Sequence, residues 1–99
     1  MGESELENRL KAAIAEHAGL PLYLWTFDGE ISGRGPGSGW IIQVHFEDPS
    51  QEGGVKHVAL GSGPVMDQKL FDALKAWWLS ATQRFPGKLA PRIEVYVND

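Results

Sequence analysis

The stretch WIIQVHFED, residues 40–48, alternates apolar and polar side chains more regularly than any other part of this chain. Successive side chains of a β-strand point to opposite faces, so this pattern predicts a strand with one core face and one open face. The predicted core face carries Trp40, Ile42, Val44 and Phe46. The predicted open face carries Ile41, Gln43, His45 and Glu47.

Three further segments are predicted as strands around this one. LYLWTFD (22–28) precedes it, and VKHVALG (55–61) follows it after the turn sequence PSQEGG. These short connections predict an antiparallel meander. RIEVYVN (92–98) alternates as well and predicts a last strand, parallel to the third after a helical crossover. The sequence leaves open which edge of the sheet this last strand joins.

Two amphipathic helices complete the pattern. Ser4 and Glu7 have the spacing of a capping box and predict the start of the first helix, which Gly19 ends. The segment DQKLFDALKAWWLSATQRF (67–85) begins with an N-cap aspartate and has a wide apolar stripe.

Together these elements predict an α+β fold in the order α-β-β-β-α-β. Each helix has one apolar stripe, so both should pack on one face of a mostly antiparallel four-stranded sheet, as a two-layer sandwich. The chain has 99 residues, of which 42% are apolar, and this size fits a single domain spanning residues 1–99.

Composition narrows the classes of partner. The formal net charge of −4 argues against a broad electrostatic contact with nucleic acid or an anionic membrane, and leaves a basic protein as a suitable partner. With no cysteine, disulfides, thiolate zinc sites and cysteine nucleophiles are excluded. No secretory signal or membrane span is evident, so we expect a cytoplasmic protein. No motif indicates a cofactor.

Two glycine-rich segments resemble phosphate-binding loops only in composition. GRGPGSGW (33–40) leads into a strand instead of a helix, and Pro36 removes one backbone amide. We interpret it as a hairpin connection in which Arg34 lies at the rim of the open face. GSGP (61–64) precedes a helix, but Asp67 would occupy the free amides there.

The order of elements, with a GSG turn before the second helix, resembles in outline the double-stranded RNA-binding domain. That resemblance implies lysines at the start of the last helix, where they contact RNA phosphates. Here the matching stretch PVMDQKL provides Lys69 alone, and the first helix is acidic. The charge therefore argues against RNA binding.

The histidines form a candidate chemical site. A turn centred near Gln51 would place His45 opposite His57, with Glu47 beside them on the open face. Two imidazoles and a carboxylate can bind a divalent metal or act as acid and base, which makes a small metal-dependent or acid–base enzyme one alternative. Exposed strand histidines with no special role are the other interpretation.

A second surface follows from matching the core faces of the first two strands. Leu22 and Leu24 then point inward, which turns Tyr23, Trp25 and Phe27 outward beside Ile41 and His45. These five outward-facing side chains, with Arg34 at the rim, form a predicted apolar binding surface. The opposite face assignment, or cover from the chain ends, would remove it.

We therefore predict a protein-binding module that uses this surface, with a protein partner or a second copy of the chain bound to it. A single-stranded nucleic acid stacked on the aromatic rings is a further alternative. The absence of a catalytic motif favours binding over catalysis. On this hypothesis, replacing Trp25 and Phe27 with alanine would abolish association and leave the thermal transition nearly unchanged.

Overall fold

The computed structural model describes residues 3–32 and 39–98, apart from the side chains of Ser32 and Asn98, and its elements follow the predicted order. A short 3-10 turn, Glu52–Gly54, lies between the second and third strands. The helices and strands are α1 (Glu3–Glu16), β1 (Leu22–Ser32), β2 (Trp40–Glu47), β3 (Val55–Gly63), α2 (Gln68–Arg84) and β4 (Arg92–Asn98).

The four strands form one mixed sheet in the order β3-β2-β1-β4. The pairs β1–β2 and β2–β3 are antiparallel, and β4 is parallel to β1. The α+β fold class is confirmed. The sequence did not determine which edge of the sheet the last strand joins, and in the structure β4 lies beside β1. The segment containing α2 therefore carries the chain from one edge of the sheet to the other.

Both helices pack against one face of the sheet, here called the helix face; the opposite face is the open face. α1 contacts β3 and α2 contacts β1. Asp67 caps α2 as predicted, because its carboxylate accepts a hydrogen bond from the Leu70 amide at 2.7 Å. Among the described residues, no helix is long and apolar enough to cross a membrane.

The outward placement of Trp25 and Phe27 is wrong. Both side chains are 0% exposed and lie on the helix face. Phe27 contacts the rings of Trp40, Phe71 and Trp78, with centroids 5.8 to 6.5 Å apart. The predicted aromatic binding surface and the base-stacking platform therefore do not form.

A bulge in β1 explains the inversion. Leu22 pairs with Phe46 and Leu24 pairs with His45, so Tyr23 is an extra residue on β1. An extra residue shifts the alternation of every side chain after it. Leu22 therefore packs on the core as predicted, while Leu24 lies opposite His45 on the open face.

The two helices are joined by a polar contact centred on Glu7 of α1. Its carboxylate accepts hydrogen bonds from the Arg84 guanidinium, at 2.6 and 3.0 Å, and from the Trp77 indole at 3.0 Å. The hydrogen bonds from Arg84, followed by the one from Trp77, lower the pKa of Glu7 from its ordinary value of 4.5 to about 2, although burial acts in the opposite direction.

We expect Glu7→Gln to reduce the stability of the domain at neutral pH and to reduce it much less at pH 2. The carboxylate stabilises the fold above pH 4.5, and this stabilisation is lost as the pH falls towards its folded-state pKa of about 2. Because Arg84 is 42% exposed, water screens the pair, and we expect a loss of about 1 kcal/mol. Urea unfolding at several pH values measures it. Glu5→Gln, which affects the exposed pair with Arg9, is the control and should change little.

Candidate functional site

The predicted pairing of the two histidines is confirmed. His45 lies opposite His57 across β2 and β3, and their Nδ1 atoms are 2.5 Å apart. The Thr26 hydroxyl lies 2.8 Å from the other ring nitrogen of His45, Nε2. Burial lowers the pKa of His45, and the charges of His57 and Arg92 lower it further. These contacts link three neighbouring strands through one largely buried neutral imidazole.

Glu47 does not join the histidines. Its carboxylate accepts a hydrogen bond from the Lys88 ammonium at 2.8 Å, which raises the pKa of Lys88. Lys88 is held there because its backbone amide donates to the Leu22 carbonyl at 3.0 Å. Within residues 3–32 and 39–98, no three histidine, cysteine or acidic side chains are grouped so that they could hold a metal ion. The metal site of His45, Glu47 and His57, which the sequence offered as one alternative, therefore does not form.

The other residues of the predicted binding surface do not form one patch. Tyr23 is half-buried at the bulge and lines a cavity with Glu47. Ile41 is half-buried on the open face, between Asp28 and Ser62 on the neighbouring strands. Residues 33–38 of the predicted hairpin connection, which include Arg34, lie outside the described residues.

An acidic groove of about 520 Å³ crosses the open face near the carboxyl end of β1. Burial raises the pKa of Asp28, and the negative charge of Glu94 raises it further, whereas Arg92 acts in the opposite direction. The side chains that line this groove include Asp28, Glu30, Ile41, Ser62, Glu94 and Tyr96. Such a groove favours a positively charged group.

The outer edge of β4 is the most exposed apolar part of the sheet. Val97 is 64% exposed, Tyr96 is 68% exposed and Ile93 is 37% exposed. Ile93, Val95 and Val97 lie on the helix face, and of these three residues Val95 packs on the core. In the part of the chain that the structure describes, no strand pairs with β4 on the side away from β1.

Sequence reasoning missed this edge because its exposure depends on sheet order. The alternation of RIEVYVN is the same for an edge strand and for a central one covered on one face. The signal that was present is composition: four of the seven residues, Ile93, Val95, Tyr96 and Val97, are β-branched or aromatic.

No family model, curated protein or solved structure matches this chain.

Proposed function

We propose that this protein is a protein-binding module that accepts an extended segment of a partner as a fifth strand beside β4. The observation that carries the proposal is the exposed edge. An edge strand presents a row of backbone N–H and C=O groups that another chain can pair with. The exposed side chains of Ile93, Tyr96 and Val97 add apolar surface on both faces of the strand.

The two edges of the sheet differ in how they are protected. Natural edge strands avoid unwanted pairing with lysines, prolines and bulges. β3, the other edge, carries Lys56 and has an irregular register opposite Ile42 and Gln43. β4 contains neither lysine nor proline and pairs with β1 without a register shift. Strand addition is therefore favoured at β4.

The acidic groove adds a preference for charge. Glu94 and Tyr96 belong both to the groove and to β4, so a strand added there would place its open-face side chains beside the groove. A basic side chain at such a position would be attracted by Asp28 and Glu94. This agrees with the expectation of a basic partner segment.

Strand addition can be tested with a capped peptide of residues 91–98 as the added strand. Titrated into isotope-labelled protein, it should shift the NMR signals of β4 and β1 and leave those of α1 unchanged. Val97→Lys should weaken binding about tenfold, because it places a charge in the apolar contact. Val65→Lys is the matched control, since Val65 is a 54% exposed valine outside the sheet, and it should bind as the unmodified chain does.

A peptide with alternate backbone amides methylated cannot donate along one edge and should not bind. Signal changes remote from β4, or equal weakening by both lysine variants, would rule out strand addition at this edge.

A further inference from the structure

We infer that the strand added at β4 is β4 of a second copy of this chain, antiparallel, with Val95 facing the partner's Val95. This inference rests on the proposed strand addition and names its partner. The result is a dimer with one continuous eight-stranded sheet and all four helices on the same side.

Symmetry selects the antiparallel arrangement. Closed dimers have a two-fold axis, and a two-fold axis perpendicular to the sheet pairs two identical edge strands in opposite directions. Residues that lie directly opposite each other must point to the same face of the joined sheet. Because the side chains of β4 alternate between the two faces, the two positions in each pair must both be odd or both be even. Val95 is the middle residue of Arg92–Asn98, so pairing centred there uses all seven residues of both strands.

The side chains of β4 are compatible with this register. On the helix face, Ile93 lies opposite the partner's Val97, and both of these exposed residues become covered. On the open face, Glu94 lies opposite the partner's Tyr96. Each Glu94 is already accompanied by Arg92 of its own strand, with Nε and Oε1 3.6 Å apart. No like charges lie directly opposite each other.

Neighbouring registers are less favourable. Pairing centred on Glu94 places two glutamates directly opposite each other and uses five residues of each strand, which is repulsive as well as shorter. Pairing centred on Tyr96 also uses five residues and leaves Ile93 uncovered. The register centred on Val95 avoids both problems.

The acidic groove gains a cation in this arrangement. The partner's Arg92 lies opposite Asn98 and therefore diagonally beside Tyr96, which lines the groove. Tyr96 offers its ring face to the guanidinium. The basic group that the groove favours is thus available from the second copy.

The apolar surface continues from the sheet edge into the helix layer. α2 contacts Glu7 of α1 through Trp77 and Arg84, and contacts Phe27 of β1 through Trp78. At 100° per residue, Leu79 then lies on the side of α2 away from α1, towards the β4 edge, where it is 44% exposed. The α2 helices of two copies could therefore meet above the joined strands.

Concentration-dependent sedimentation of the full chain tests the inference. We expect a monomer–dimer equilibrium that Val97→Lys weakens about tenfold and Val65→Lys leaves unchanged. Because each copy has a net charge of −4, added salt should strengthen the dimer by screening the repulsion. Equal weakening by Val97→Lys and Val65→Lys would contradict a second copy paired at β4.

Cysteine pairs test the register, since the chain contains no cysteine of its own. Ile93→Cys and Val97→Cys, mixed and oxidised, should form a mixed disulfide dimer. Each variant alone should give about tenfold less, because like positions would lie about 13 Å apart, too far for a disulfide. Dimers of Ile93→Cys alone, or of Val97→Cys alone, in equal yield would overturn this register.

The two proposals fail in different ways. If the full chain stays monomeric at millimolar concentration while the peptide of residues 91–98 binds β4, the second copy is wrong and strand addition stands. If neither the peptide nor a second copy associates with β4, both are wrong.

Discussion

Replacing Trp25 and Phe27 together with alanine is expected to unfold this domain at room temperature. Both side chains are fully buried on the helix face. Replacing a buried aromatic residue with alanine costs about 3–5 kcal/mol, so the pair would cost about 6–10 kcal/mol if the effects added. Domains of this kind are stable by about 5–15 kcal/mol. Little or no stability would remain.

Trp25 contributes a hydrogen bond as well as buried area. Its indole N–H donates to the Phe85 carbonyl at 2.8 Å, just after the end of α2, so the ring ties the helix to the sheet. Trp25→Phe should therefore lower stability by about 1–2 kcal/mol, much less than Trp25→Ala, because most of the buried ring remains.

Urea unfolding followed by circular dichroism measures these losses. Val65→Ala is the control, because it truncates an apolar side chain that is 54% exposed outside the sheet, and its transition should be nearly unchanged. If the double variant unfolds at the urea concentration of the unmodified chain, the two rings are not core residues and their placement on the helix face is wrong.

The element order could be predicted because local patterns determine it. The alternation in residues 40–48, the turn PSQEGG and the stripe of α2 each depend on residues that are close in sequence. The pairing of His45 with His57 follows from the same short turn, since the length of a hairpin connection determines its register.

The faces of β1 could not be predicted in the same way. Residues 22–27 are apolar on both sides, apart from Thr26, so alternation alone does not say which side is buried. The bulge at Tyr23 then reverses the assignment that Leu22 would indicate. The pairing of Glu47 with Lys88 was also missed, because it joins residues 41 positions apart.

The position of β4 is a third case. A crossover connection can bring the last strand to either edge, and the right-handed rule distinguishes the two edges only once the face covered by the helix is known. Beside β1, β4 extends beyond the cover of the helices, and Ile93 and Val97 stay exposed. The candidate site therefore depends on topology, which the alternation of the strand does not encode.

Among the described glycines with a positive φ, Gly39 is expected to show the largest effect when it is replaced with alanine. Gly39 has a φ of +87°, and a Cβ atom there would overlap the Gly63 carbonyl oxygen of β3. The opposing atom belongs to the backbone, so it cannot move away without shifting the strand. The strained φ and the displaced strand together should cost about 3 kcal/mol or more.

Gly19→Ala separates these two contributions. Gly19 has a nearly identical φ of +91°, but no described atom lies within 4 Å of its would-be Cβ. It should lose about 1 kcal/mol, from the backbone conformation alone. Equal losses for the two variants in urea unfolding would show that the close approach to Gly63 has no energetic consequence.

The site of the damage should be visible at Trp40. This side chain follows Gly39, is buried, and lies so close to Gly63 that a Cβ on Gly63 would be 2.5 Å from its indole nitrogen. If alanine at position 39 pushes β2 and β3 apart, the amides of residues 40–42 and 61–63 should exchange faster with solvent, while those of α1 should not. Uniformly faster exchange would instead indicate global destabilisation, because the loss would then not begin at the contact between Gly39 and Gly63.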